Sequence, residues 1–78
     1  MKNENGRILQ IQGSVVDVAF IEGVEPAIYE ALTVERESEN PLVLEVEKLL
    51  ENNVVRCVAM DSTDGLKRDM QDARTYLR

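Results

Sequence analysis

The sequence predicts an all-β fold, a small closed or nearly closed antiparallel barrel of about six strands, and three observations carry that expectation. Apolar residues recur at a period of two along short segments, as where Leu42, Leu44 and Val46 oppose Val43, Glu45 and Glu47. Turn signals rich in Gly, Pro and Asn recur roughly every ten residues, at Gly13, Gly23, Pro26, Asn40-Pro41 and Asn52-Asn53. The chain has 78 residues. At that size only about 60% of the unfolded surface is buried, and closing the sheet removes edges that a marginal core could not otherwise protect.

Taken in order, residues 1–5 are polar and unpatterned and read as a disordered N-terminus, followed by a barrel domain over residues 6–68. The first strand is expected at about 7–12, where Leu9 and Ile11 alternate with Ile8, Gln10 and Gln12, and the second at about 14–20, where Val16, Val18 and Phe20 alternate with Val15, Asp17 and Ala19. Gly13 between them can take a positive φ or admit a neighbouring backbone, so it reads as a bulge or a bend at a barrel corner. A loop through Gly23 and Pro26 leads to a shorter strand over 31–36, with Leu32 and Val34 set against Thr33 and Glu35. Residues 37–41 form a turn, 42–47 a strand with one wet face, and Asn52-Asn53 the turn before the β-branched run from 54 to 60. Arg56 interrupts that run with a charge that must reach water or a carboxylate.

Beyond it, Asp61, Ser62, Thr63 and Asp64 read as a turn held by side chain to backbone hydrogen bonds, with Gly65 supplying the open dihedral. Leu66, Met70, Ala73 and Leu77 are then spaced as one face of a helix over about 66–77, which Thr63 or Asp64 could cap. The divergent tail, residues 69–78, is therefore expected to be a short helix in place of a last strand, or disordered.

Composition narrows the function. The formal charge of −6 and only three aromatic residues disfavour binding to nucleic acid, which needs Lys and Arg against phosphates and rings against bases. The charge is uneven, with 5 basic and 13 acidic residues in 1–64 against 4 basic and 2 acidic in 65–78. The single Cys57 cannot form an internal disulfide, which suits a reducing compartment. Residues 1–5 carry no apolar core of a signal peptide, and no stretch approaches the ~18–20 apolar residues of a membrane span, so no direct membrane insertion is expected.

The search for chemistry begins at Asp17, set among valines, and at the Asp61 to Asp64 loop. Asp17 reads as an outward strand carboxylate paired with Arg56 or Arg7. The chain holds no His, its one Cys cannot build a zinc site, and Ser14, Ser62 and Thr63 have no identifiable base. A phosphate-cradling G-x-x-x-x-G-K-[ST] pattern does not occur. No catalytic, cofactor-binding or metal-binding residue is assigned; Gly13, Asp64 and Gly65 are assigned to structural turns.

Gly6-Arg7-Ile8, Gly13, Val15-Val16-Asp17-Val18 and Phe20, then Pro26, Ile28-Tyr29, Ala31-Leu32, Leu42-Val43-Leu44-Glu45-Val46, Val54-Val55-Arg56 and Ala59-Met60-Asp61-Ser62-Thr63-Asp64-Gly65-Leu66 with Arg68, fall in an order and spacing that resemble the amino-terminal β-barrel of the ATP synthase beta subunit. The resemblance covers about residues 6–68. It implies a non-catalytic barrel that joins equivalent barrels of alternating alpha and beta subunits into a ring, since the family's phosphate loop lies in the following domain. The implied partners are alpha-subunit barrels or other copies, with Asp17, Glu45 and Arg56 as possible interface residues. The implied setting is the cytoplasmic side, peripheral to a membrane complex. After Arg68 the family has a glycine and a strand that completes the barrel, where this chain has its divergent tail. The alternative reading is a free-standing binding module with a replaced C-terminal element, and an enzyme in its own right is the third; separately, a disordered tail would leave an exposed strand edge through which the chain could self-associate.

Overall fold

A computed structural model describes residues 3–23, 25–36, 40–66 and 73–76. It contains six strands, β1 (Asn3–Gln12), β2 (Val15–Ala19), β3 (Ala31–Val34), β4 (Leu42–Leu49), β5 (Val54–Ala59) and β6 (Ala73–Tyr76). They close into a barrel in the order β1-β2-β5-β4-β3-β6, with every neighbouring pair antiparallel. The all-β barrel expected from the alternation is thus the observed fold.

Two strands owe their facing to bulges. Ile8 lies opposite Val18 and Gln10 opposite Asp17, so Leu9 is an extra residue on β1. The bulge lets Ile8 and Ile11 serve the same interior despite an odd spacing: Ile8 is fully buried and Ile11 packs half-buried against the core. On β4, Leu42, Leu44 and Val46 point inward, and strict alternation would carry Lys48 in after them. A bulge between Val46 and Lys48 resets the register, so that Lys48 lies opposite the outward Arg56 and stays exposed.

The interior is filled by Ile8, Val16, Val18, Phe20, Leu32, Val34, Leu42, Leu44, Val46, Val55, Cys57 and Ala59, with Leu66 half-buried against them. Room for Phe20 comes from Gly6. A β-carbon built there would lie 2.6 Å from Val18 Cγ1 and 2.8 and 2.9 Å from the Phe20 ring.

Four sequence expectations change. Gly13 does have a positive φ, 61°, but it sits in a two-residue hairpin turn with Ser14, since Gln12 and Val15 are directly paired. The bend is thus a tight reversal between neighbours and not a corner that one strand rounds, because two residues suffice to reverse an antiparallel pair. The N-terminal stretch is ordered from Asn3, because Asn3 to Gly6 pair with β6; Met1 and Lys2 lie outside the described residues. The tail contributes strand β6 at Ala73–Tyr76, not a helix, and Met70, Leu77 and Arg78 lie outside the described residues. The reason is tertiary: β6 pairs with both β1 and β3, satisfying two rows of backbone groups that a short, marginal helix would leave open. That closure also overturns self-association through an exposed edge, since each described strand has a neighbour on both sides. Of the turn expected over 37–41, residues 37–39 lie outside the described residues.

Candidate interaction surface

The barrel has two ends. At the upper end lie the Gly13-Ser14 turn and residues 60–66; at the lower end lie residues 20–30, which cross from β2 to β3, and the β4–β5 turn. Between them runs the outer wall.

On the wall, Asp17 and Arg56 are cross-strand partners on β2 and β5. Arg56 donates from Nε to Asp17 Oδ1 and from Nη2 to Oδ2, each at 2.9 Å, a two-pronged charge-assisted pair. The carboxylate raises the Arg56 pKa above its ordinary value, first through this hydrogen bond and then through charge. Alternation aims Asp17 outward, as expected, yet it is only 6% exposed because the guanidinium occupies its oxygens and neighbours cover it. Of the three possible interface residues, Asp17 therefore offers a partner little surface; Arg56 is exposed and Glu45 half-exposed. Glu45 instead meets Glu47, whose pKa is raised first by a side-chain hydrogen bond in which protonated Glu47 donates to Glu45, then by desolvation and by the like charge. Directly beneath the wall, burial pushes the Cys57 thiol up to about 12, with smaller contributions from Asp17 and Glu47. A thiol held neutral in this way is a packing group.

At the upper end, the Asp61 to Gly65 loop is tied inward by its own polar groups. Ser62 N–H donates to Asp61 Oδ1 at 2.7 Å and Asp64 N–H to Ser62 Oγ at 3.2 Å. Thr63 Oγ1 donates to the Gly13 carbonyl at 3.1 Å, joining this loop to the β1–β2 turn. Leu66 N–H closes the last turn on the Thr63 carbonyl at 3.1 Å, with Gly65 at φ 86°. Arg36 then clamps two segments to the end of β3: Nε donates to the Asn40 carbonyl at 2.8 Å, and Nη1 to the carbonyls of Ser62 and Asp64 in the one loop at 3.0 and 2.9 Å. Sequence reasoning passed over Arg36. Its signal was its isolation, as the sole basic residue between Arg7 and Lys48.

The lower end has a different character. Ile21, Ile28, Tyr29 and Leu49 are all exposed there, whereas at the upper end the one large apolar residue so exposed among the described residues is Met60. Tyr29 occupies the third position of a turn in which Glu30 N–H donates to the Ala27 carbonyl at 3.1 Å. Its φ is 71°, a left-handed conformation that costs a residue with a β-carbon about 1–2 kcal/mol. The conformation is held from both sides: Tyr29 N–H donates to the Val46 carbonyl at 2.7 Å, and Ala27 N–H to Glu30 Oε1 at 2.6 Å. The sequence hid this turn because neither Gly nor Asn stands where a positive φ is needed.

Compared with known protein families, residues 8–74 match the model of the ATP synthase alpha/beta family, beta-barrel domain.

Proposed function

The chain belongs to the ATP synthase alpha/beta family, and on that premise we propose that it acts as a non-catalytic assembly barrel of the beta-subunit type. Its work is to hold a position beside alpha-type barrels in a complex of proton-driven ATP synthesis, at the cytoplasmic side and peripheral to the membrane. The observation that carries this reading is the family match over a closed barrel whose interior is filled by apolar side chains. A filled barrel has its surface to offer, and the polar groups of this one largely serve its own structure: Asp17 holds Arg56, Arg36 holds the upper loops, and Asp61 holds its own turn. The strand at Ala73–Tyr76 removes the observation that favoured a free-standing module with a helical replacement.

The test is association. Sedimentation of the chain mixed with purified alpha-type subunit of ATP synthase should give a discrete complex, while the chain alone stays monomeric. Absence of any complex with the alpha-type subunit refutes the assembly reading.

A further inference from the structure

We propose that the Ile28–Tyr29 turn is the anchor by which this barrel seats on its partner, and that the partner surface it enters is an apolar recess bordered by Lys or Arg on a non-identical chain. The proposal rests on the assembly reading above and adds to it the surface used and the chemistry on the other side.

Two independent observations meet at this turn. The first is exposure: Tyr29 is 73% and Ile28 44% exposed, adjacent in sequence, at the end of the barrel that also presents Ile21 and Leu49. The interior is already filled without them, so the fold itself does not account for their display. The second is strain. Tyr29 holds a positive φ that Gly or Asn would adopt at lower cost, and the surrounding hydrogen bonds to Val46 and Glu30 keep it there. A bulky residue kept in a disfavoured conformation, with its ring in water, points to a use for the ring outside the fold. Tyrosine suits that use, because it carries a large contact area on few rotatable bonds and is enriched among residues that dominate binding energy.

Charge selects the occupant. The crossing segment carries Glu22, Glu25 and Glu30 with no basic residue, and Glu51 stands in the adjacent turn; against these four carboxylates the described residues near this end set two cations, Arg7, opposite Ala19 just before the crossing begins, and Lys48 near the end of β4. A second copy of the chain docked end to end would set this acidic rim against itself, and like charges across an interface disfavour that partner. An apolar recess with a basic border takes the ring in its centre and the carboxylates at its edge.

The test uses the intact chain and purified alpha-type subunit, with affinity followed by calorimetry at two salt concentrations. Tyr29→Gly is the main variant, because it removes the ring and relieves the backbone together; Met60→Ser, at the opposite end, is the control. The expected result is that Tyr29→Gly unfolds at a higher temperature than the parent yet binds about tenfold or more weakly, while Met60→Ser binds as the parent does. Binding by the parent should also weaken as salt rises. If Tyr29→Gly binds like the parent, the turn is not the anchor although the assembly reading stands. If the parent binds but is insensitive to salt, the basic border is wrong. If the parent does not bind, both fail.

Discussion

Adding one methyl group at Gly6 should unfold part of this barrel's stability, and the sign of the effect is diagnostic. In an ordinary strand interior, Gly→Ala stabilises by roughly 0.5–1 kcal/mol, since alanine has less backbone freedom to lose. At Gly6 the new β-carbon would stand 2.6 Å from Val18 Cγ1 and within 2.9 Å of two Phe20 ring atoms. Neither neighbour can swing away cheaply, because Val18 is fully buried and Phe20 is 8% exposed in the same core. Overpacking of this kind costs about 1–3 kcal/mol, so a net loss of about 1–2 kcal/mol is expected. A domain of this length has roughly 4–12 kcal/mol in total, and at about 4–8 °C per kcal/mol the thermal midpoint should fall by about 5–15 °C. Circular dichroism melts of the parent, Gly6→Ala, Val18→Ala and the double variant form a cycle in which the double should recover part of the sum. A neutral or raised midpoint for Gly6→Ala would refute the reasoning, because Val18 and Phe20 could not then lie across Gly6 and the β1–β2 pairing ahead of the Leu9 bulge would be wrong.

Gly13→Val should destabilise by more than ~1 kcal/mol, although a side chain there meets open space, because a β-branched residue at φ 61° is a conformational outlier; an unchanged melt would contradict the hairpin geometry. Arg56→Leu should lower stability by leaving the covered Asp17 carboxylate without its two donors, and Asp17→Val with Arg56→Leu should recover most of the loss. Equal melts for single and double variants would show that the pair is not coupled. Burial raises the Cys57 pKa in the folded state from its ordinary value near 9.0 to about 12. The neutral thiol's contribution is therefore complete below pH about 9 and is lost as pH rises toward about 12. Denaturant melts of the parent and Cys57→Ala should accordingly converge over that interval, and a constant difference would argue against the burial effect. Calorimetry with magnesium ATP should detect no binding by this chain, and a saturable micromolar interaction would overturn the non-catalytic reading and direct attention to the Asp61 to Gly65 loop.

The strands were legible where one face is wet and the other dry. Leu42, Leu44 and Val46, or Val55 and Cys57, declare their facing because each neighbour is polar or partly exposed. The bulges at Leu9 and Glu47 were not legible, since a bulge is decided by two strands and a sequence window shows one. Ile8 and Ile11 looked like opposite faces for that reason. Strand β6 was misread because Leu66, Met70, Ala73 and Leu77 fit helical spacing, while the demand that makes a strand there comes from β1 and β3, far away in sequence. The pairing of Asp17 with Arg56 was within reach as one of two options, and register selected it. Gly6, Arg36 and Tyr29 act through contacts that composition does not encode.

The seam that shuts the barrel joins the first described strand to the last, with Asn3 opposite Tyr76 and Gly6 opposite Ala73. Hairpins such as β1–β2 and β4–β5 can form as soon as their own residues are available, but this seam must gather nearly the full span of the chain, with the loop-closure entropy that implies. A nascent polypeptide therefore holds an open sheet until residue 73 has emerged, its β1 and β3 margins bare and competent to pair with a neighbour's. The same geometry means that a short linker could bridge the two seam strands, and new termini cut at Gly23 would leave every strand intact. In such a rearranged molecule the slow, vulnerable closure becomes a local hairpin, and the interval of exposure during synthesis shifts to the contacts that the cut has made distant.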